Sequence, residues 1–393
     1  MEKGQIIKRR VRSIRRILGR KKISCLIVTK PANVTYITGF SGGDSWAVIT
    51  NGFDKLTTRG GVYLLTDSRY TEQAKSECSG CRIIERRKPM VEAAAELVRK
   101  LKSVRAITVE KSTSLGDFEK LKEKVKGRVG STAGIRLRVR PSQPLRRSGL
   151  STIAASAEAL IERLRSSKDD SEIAAIKKAA QIAAEALEKT LKHIKPNVTE
   201  SELAGALDFE IRKIGAKNSF ETIVAFGANA SRPHHQPGTR KLKKNDTVLI
   251  DFGVRYRNYC CDLTRCFAVG KVNNFYRKVY SAVKEAQAAA IKMVKPGVEI
   301  EKVDAAARAV IRKYGLPVYG HGTGHGIGLE VHEEPVILEK SKGKLQAGMV
   351  FTIEPAVYIP GRLGVRIEDD VLVAENGCKV LSHGCPYPVF GKA

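Results

Sequence analysis

Lys195-Pro196-Asn197-Val198 recurs one hundred residues on as Lys295-Pro296-Gly297-Val298, and Ile211-Arg212-Lys213-Ile214-Gly215 recurs at the same offset as Ile311-Arg312-Lys313-Tyr314-Gly315. Two matches in one register point to an internal duplication. Each copy follows an Ala-rich amphipathic segment and contains a second helical one. The C-terminal part therefore reads as two halves, each of helix, helix and sheet. The first Ala-rich helix begins at Lys168-Asp169-Asp170-Ser171-Glu172-Ile173, where acidic residues in the first turn suit the helix dipole, and runs to about His193.

The chemistry follows the helices in each half. Thr247-Val248-Leu249-Ile250-Asp251-Phe252-Gly253 and Asn258-Tyr259-Cys260-Cys261-Asp262-Leu263-Thr264 read as two strands of a hairpin. Setting Asp251 directly opposite Asp262 centres the turn between Tyr256 and Arg257 and puts both carboxylates on one face. Phe351-Thr352-Ile353-Glu354-Pro355 and Val365-Arg366-Ile367-Glu368-Asp369 repeat the pattern, with Glu354 opposite Glu368 about a turn at Gly361. Opposed carboxylates repel and are costly to bury unless a cation neutralises them. One or both pairs facing solvent is the alternative. Asp251 and Glu354 interrupt strongly apolar strands, which favours a buried charged site.

Between the hairpins, the window His321-Gly322-Thr323-Gly324-His325-Gly326-Ile327-Gly328-Leu329-Glu330-Val331-His332-Glu333 holds three of the seven histidines and four glycines. Glycine permits close backbone approach, and neutral imidazole is a common metal ligand. Alone, the window is equally a tight turn with solvated imidazoles. Adding His325 to the four carboxylates gives a set of charge −4, matched to two divalent cations. Oxygen-rich ligation with one nitrogen favours Mn²⁺, with Co²⁺ or Zn²⁺ also suitable.

A length of 393 residues fits two domains, here 1–165 and 166–393. The first reads as α/β. Ser24–Val28, Ser45–Thr50, Val62–Thr66 and Ala106–Val109 have strand character, Lys30–Asn33 reads as a turn, and Val91–Leu101 and Leu115–Val125 are helical in period. The alternation predicts a largely parallel sheet. Residues from Leu150 to Ser167 read as a polar helix. Cys78-Ser79-Gly80-Cys81 has redox or metal spacing, but no second pair follows at zinc-ribbon distance, and eight cysteines in so long a chain fit a reducing cytoplasm better than a disulfide framework. No apolar run suits a membrane span and no secretory signal is expected. The formal net charge is +29, densest from Lys8 to Arg16. Val11, Ile14 and Leu18 fall at helical spacing there, so the run reads as a helix with a basic solvated face. It lacks a nucleic-acid motif, and nucleic-acid binding is not expected.

With these residues collected, the chain resembles the Xaa-Pro peptidases, aminopeptidase P and prolidase, of the metallopeptidase family that includes methionine aminopeptidase. The matching motifs are Asp251-Phe252-Gly253, Cys261-Asp262-Leu263-Thr264-Arg265, Gly324-His325-Gly326-Ile327-Gly328, Thr352-Ile353-Glu354-Pro355 and Arg366-Ile367-Glu368-Asp369. Lys30–Phe40 and Leu65–Tyr70 resemble the creatinase/prolidase-type N-terminal domain, which methionine aminopeptidases lack. The resemblance implies an α/β N-terminal domain followed by a duplicated α+β "pita-bread" catalytic domain. It implies Asp251, Asp262, His325, Glu354 and Glu368 as ligands of two metals, a proline-containing peptide as substrate, and a homodimer. Creatinase lacks the full ligand set, which argues against that activity here. By the same resemblance, Glu354, His234 and His332 handle protons and substrate, His321 lines the pocket on the proline side, and Arg366 supports the ligating carboxylates. His235 has no such match and reads as structural or exposed. A metal-free member of the fold acting as a binding module for peptide or nucleic acid is the alternative, and it would be expected to have lost ligands.

Overall fold

The computed structural model describes residues 3–51, 61–101, 104, 106–126, 136–137 and 159–387. It divides into two units, Met1–Leu164 and Arg165–Ala393.

The first unit is built on a six-stranded sheet in the spatial order Arg82–Glu85, Val62–Thr66, Trp46–Thr50, Cys25–Val28, Ala106–Val109, Arg136–Leu137. Cys25–Val28 is parallel to Ala106–Val109, and Val62–Thr66 to Arg82–Glu85. Trp46–Thr50 runs antiparallel to both of its neighbours, so the sheet is mixed and not largely parallel. One face packs Cys25, Ile27, Val48, Tyr63 and Leu65 against the helices Met90–Lys100 and Leu115–Lys126. Lys30–Asn33 does not end as a turn. Pro31 opens the helix Pro31–Thr38, where its missing N–H costs nothing.

The basic N-terminal run is the helix Lys3–Arg20, docked through Ile7, Val11, Ile14 and Leu18. Its basic face is only partly solvated. Arg9, Arg12 and Arg16 are exposed, but Arg10 lies 4.2 Å over the Tyr36 ring and the Arg15 Nε donates to Thr50 O at 3.1 Å. Cys78 caps the helix Thr71–Glu77, Cys81 packs against Ile7, Val11 and Val62, and none of the eight cysteines is in a disulfide. Residues 150–158 of the stretch read as a polar helix lie outside the described residues, and the helix present in the rest is Leu160–Ser166.

The second unit carries the duplication in its backbone. The helices Glu200–Lys213 and Ile300–Lys313 are each 14 residues long. Both are entered through a left-handed residue, Asn197 (φ 74°) and Gly297 (φ 86°), which is why the repeat has Asn or Gly at that place. Leu242 N donates to Val198 O, and Leu345 N to Val298 O, both at 2.8 Å. The longer helices Asp170–Thr190 and Asn274–Met293 precede them. Asp169 caps the first in a capping box with Glu172, so the acidic start seen in the sequence is a helix N-terminus.

Each half contributes an antiparallel sheet, of three strands around Thr247–Phe252 and of five around Val350–Ile353. The first hairpin differs from expectation. Asp251 pairs with Thr264, not Asp262, and Tyr256 pairs with Tyr259. The turn residues Arg257 (φ 47°) and Asn258 (φ 71°) are both left-handed, the requirement of a two-residue type I′ loop. That turn slides the register by two residues, which keeps Asp262 on the face of Asp251 but sets it diagonally across. The second hairpin keeps the expected register, with Ile353 opposite Asp369 and Ala356 opposite Arg366, and Glu354 and Glu368 in the gap between these pairs. The two sheets meet where Glu368 N donates to Thr264 O at 3.2 Å.

Candidate metal centre

His325 stands on the short strand Gly324–Gly326, squeezed between Glu333–Ile337 and Val350–Ile353. A Cβ on Gly324 would lie 1.8 Å from Thr352 O, and one on Gly326 would lie 2.2 Å from Glu334 O. The glycines therefore let the histidine strand enter the sheet. The His325 Nε2 lies 3.7 Å from Asp262 Oδ2 and 3.5 Å from Glu354 Oε1. Asp262, His325 and Glu368 each offer a ligand atom within 4.8 Å of the others. The structure thus brings carboxylates from both hairpins and the histidine to one place.

Asp251 and Asp262 each bury an Oδ1 that has no hydrogen-bond donor among the described residues. Burial, and then repulsion from Glu368 and Asp251, push the Asp262 carboxyl well above its usual range. Burial and the charges of Glu354 and Asp251 do the same to Glu368. Burial raises Glu354 to about 8, and lowers His325 to about 4, which keeps its imidazole neutral. Crowded, poorly ionising carboxylates with buried bare oxygens and a neutral imidazole fit a divalent cation, whose charge removes the penalty.

The surrounding groups fix this set. Arg366 is buried and donates from Nη2 to Asp251 Oδ2 at 2.5 Å, from Nε to Thr264 Oγ1 at 3.1 Å and from Nη1 to the Tyr358 hydroxyl at 2.6 Å. Thr264 Oγ1 in turn donates to Glu368 Oε2 at 2.6 Å. Arg265, buried in full, donates to the Glu368 carbonyl at 2.6 Å and to Asp369 at 2.7 Å. Thr264 and Tyr358 were not singled out from the sequence. Tyr358 was within reach of it, because Glu354, Tyr358, Arg366 and Glu368 share one face of the second hairpin.

His332, His321 and His234 lie about the cluster. The His332 ring meets His325 edge-on with centroids 4.3 Å apart, and is exposed on its other side. His321 Nδ1 lies 3.7 Å from Glu354 Oε2, and its ring sits between Tyr319 and Tyr358 at 4.9 and 5.8 Å. Burial lowers His321 to about 4. His234 is exposed, near enough for its charge to act on Asp251 and His321. His235 is structural: it is buried, with Nε2 2.8 Å from Glu200 Oε2.

Residues 174–375 match the model of metallopeptidase family M24, and residues 10–141 match the creatinase/prolidase N-terminal domain. The chain belongs to metallopeptidase family M24. It is accordingly a peptidase whose family uses divalent metal ions, with a creatinase-type N-terminal domain and a pita-bread catalytic domain. An uncharacterised peptidase of Bacillus subtilis is 35% identical over 376 residues, 95% of this chain and 98% of that protein. The Xaa-Pro dipeptidase of Bacillus anthracis superposes with a TM-score of 0.84 at 31% identity, covering 98% of this chain and 100% of that one. The X-Pro aminopeptidase of Thermotoga maritima does so at 0.80 and 32%, covering 96% and 100%. No helix among the described residues is long and apolar enough to cross a membrane.

Proposed function

We propose that this M24 peptidase cleaves the bond between an N-terminal residue and a following proline, using two divalent ions, Mn²⁺ foremost, held by Asp251, Asp262, His325, Glu354 and Glu368. The observation that carries the reading is the close approach of Asp262, His325 and Glu368 in a chain whose structural relatives include Xaa-Pro peptidases. Bound there, the ions supply Lewis acidity for water activation and carbonyl polarisation.

The chain's own residues do the rest. The scissile bond is a tertiary amide with no N–H, so an enzyme built for it must hold the substrate by other groups. Glu354, a ligand with a free oxygen edge, is the group placed to take the proton of the attacking water. His332 and His234 reach the substrate from the exposed side, stabilise the developing oxyanion and help protonate the leaving proline nitrogen. His321, flanked by Tyr319 and Tyr358, forms an apolar and aromatic wall for the proline ring. Arg366 keeps Asp251 aimed, while Thr264 holds one oxygen of Glu368.

All five ligand positions are filled, so the metal-free binding-module reading has no support in the site. A homodimer in a reducing cytoplasm is the assembly and compartment we infer, in keeping with eight cysteines outside any disulfide. The test compares an Xaa-Pro dipeptide, an Xaa-Pro-Xaa tripeptide and an Xaa-Ala control under Mn²⁺, alongside metal analysis. Cleavage of either proline substrate but not the control supports the reading, and the ratio of the two assigns dipeptidase or aminopeptidase preference. Equal cleavage of the control would overturn it.

A further inference from the structure

Each half of the duplicated unit hangs a histidine-bearing loop from its shorter helix. In the first half the loop is Phe226–Gly238, and the group that organises it is Glu200, the first residue of the helix Glu200–Lys213. Glu200 is fully buried. Its Oε1 accepts from Phe226 N at 2.9 Å and from the Asn229 Nδ2 at 2.8 Å. Its Oε2 lies 2.8 Å from the His235 Nε2 and accepts from Gly238 N at 3.1 Å. Both ends and the middle of the loop converge on one carboxylate. The other side of the loop is fixed by the strand Leu363–Arg366 and the turn before it: a Cβ on Gly364 would lie 1.8 Å from Ala230 O, and Gly361 N donates to Ser231 Oγ at 3.3 Å. His234 stands in this loop next to the anchored His235. One histidine of the dipeptide is exposed and the other is tied down.

The second half has its own version of the device. Asp304, in the first turns of the helix Ile300–Lys313, accepts from Thr323 Oγ1 at 2.7 Å and pairs with Arg308 at 2.7 Å. Arg308 donates to the carbonyls of Tyr319 and His321 at 2.8 and 2.6 Å. There too a buried carboxylate on the repeat-related helix holds a histidine loop, with different residues at different positions. Reuse of one layout by two halves is what a positioning function predicts. A carboxylate that only satisfied its own helix would have no reason to gather donors from a loop in both.

We propose that Glu200 is a positioning residue for the peptidase reaction, acting through His235 and the loop backbone to hold His234 at the substrate. The inference rests on the role given to His234 above. His234 has no hydrogen bond of its own among the described residues to fix its ring, so its place depends on that of its neighbour. A displacement of about 1 Å in a group that meets the transition state costs on the order of 10²-fold in rate.

The experiment is a cycle on the metal-loaded, full-length enzyme, with Glu200→Gln, His235→Ala, His235→Gln and His234→Ala, and the double variant Glu200→Gln/His234→Ala. Metal content and thermal midpoint are measured beside kcat and KM on an Xaa-Pro substrate. Glu200→Gln and His235→Ala should lose about 10- to 100-fold in kcat with KM changed far less. His235→Gln, which keeps a donor for Glu200, should recover most of that loss. The double variant should be no slower than His234→Ala alone, because the positioned group is already gone. If His234→Ala keeps wild-type kcat, the role given to His234 fails. If His234→Ala is slow while a folded, metal-replete His235→Ala is not, or if the double variant shows the product of the two losses, the positioning role of Glu200 is overturned. Should Glu200→Gln fail to fold, the two His235 variants decide the matter by themselves.

Discussion

At the scale of single residues, the metal centre is a problem in charge. Glu368 is 2% exposed and is pushed up by burial and by Glu354 and Asp251. With Glu368→Ala, one carboxylate leaves the cluster along with the partner of Thr264 Oγ1. Metal content should fall and turnover disappear, as read by metal analysis and a Xaa-Pro assay. Full stoichiometry with wild-type rate would remove Glu368 from the ligand set. His332 touches His325 by its ring edge and has one open side. His332→Ala should keep its metals and lose kcat by about 10²–10⁴-fold, the usual scale of general acid–base help. An unchanged kcat would mean that His332 only packs against its neighbour. Away from the centre, burial raises Glu110 to about 7 although Lys30 N, Asn33 and Thr29 N all donate to it. The folded state therefore binds this proton more tightly than the unfolded chain, where the carboxyl titrates near 4.5. The stability tied to it is complete below about pH 4.5 and is lost as the pH rises through about 7. Thermal midpoints across that window should drop further in the wild type than in Glu110→Gln, and equal drops would clear Glu110 as the cause.

Among the elements, the strand Gly324–Gly326 has the least room. It pairs with Glu333–Ile337 through a register irregularity between His325 and Gly326, and touches Val350–Ile353 at Gly326 opposite Phe351. With Thr352 O 1.8 Å from where a Cβ would stand, Gly324→Ala must push the strand out of the sheet or displace the strand behind it. The cost should match overpacking of a closed interior, about 1–3 kcal/mol in unfolding free energy, with metal affinity lost as His325 moves. Denaturant titration reads the first and metal analysis the second. A Gly324→Ala protein with wild-type midpoint and metal content would show that the sheet yields there at little cost.

For the molecule as a whole, the outstanding feature is its charge of +29. Part of the densest basic run is structural, since Arg10 stacks on Tyr36 and Arg15 bonds Thr50 O. Only Arg9, Arg12 and Arg16 of that run's five arginines are exposed. Neutralising those three with Gln should leave peptidase kcat unchanged. Any binding to duplex DNA or RNA should be weak in both proteins and vanish on modest salt addition, because each neutralised phosphate releases counterions. Salt-resistant, sub-micromolar binding that the triple variant loses would make the helix a nucleic-acid surface.

The sequence by itself determined the duplication and the family, and marked five candidate ligand positions, because these live in short-range spacing: a repeat in register, carboxylates interrupting apolar strands, glycines on either side of a histidine. It also determined the second hairpin's register, where Gly361 marks the turn. The first hairpin slipped by two residues because two left-handed turn residues, Arg257 and Asn258, outweigh any tendency of carboxylates to face each other. Likewise, the antiparallel placing of Trp46–Thr50 depends on which strands meet, and strand alternation alone does not encode that. Only the tertiary structure decided what stands behind the ligands. Thr264, Arg265 and Glu200 carry no local signal, since a hydroxyl or a buried charge acquires its function from partners far along the chain. Glu200 and His235 are an instance: 35 residues apart in sequence, they are 2.8 Å apart in space, and burial turns that contact into a constraint.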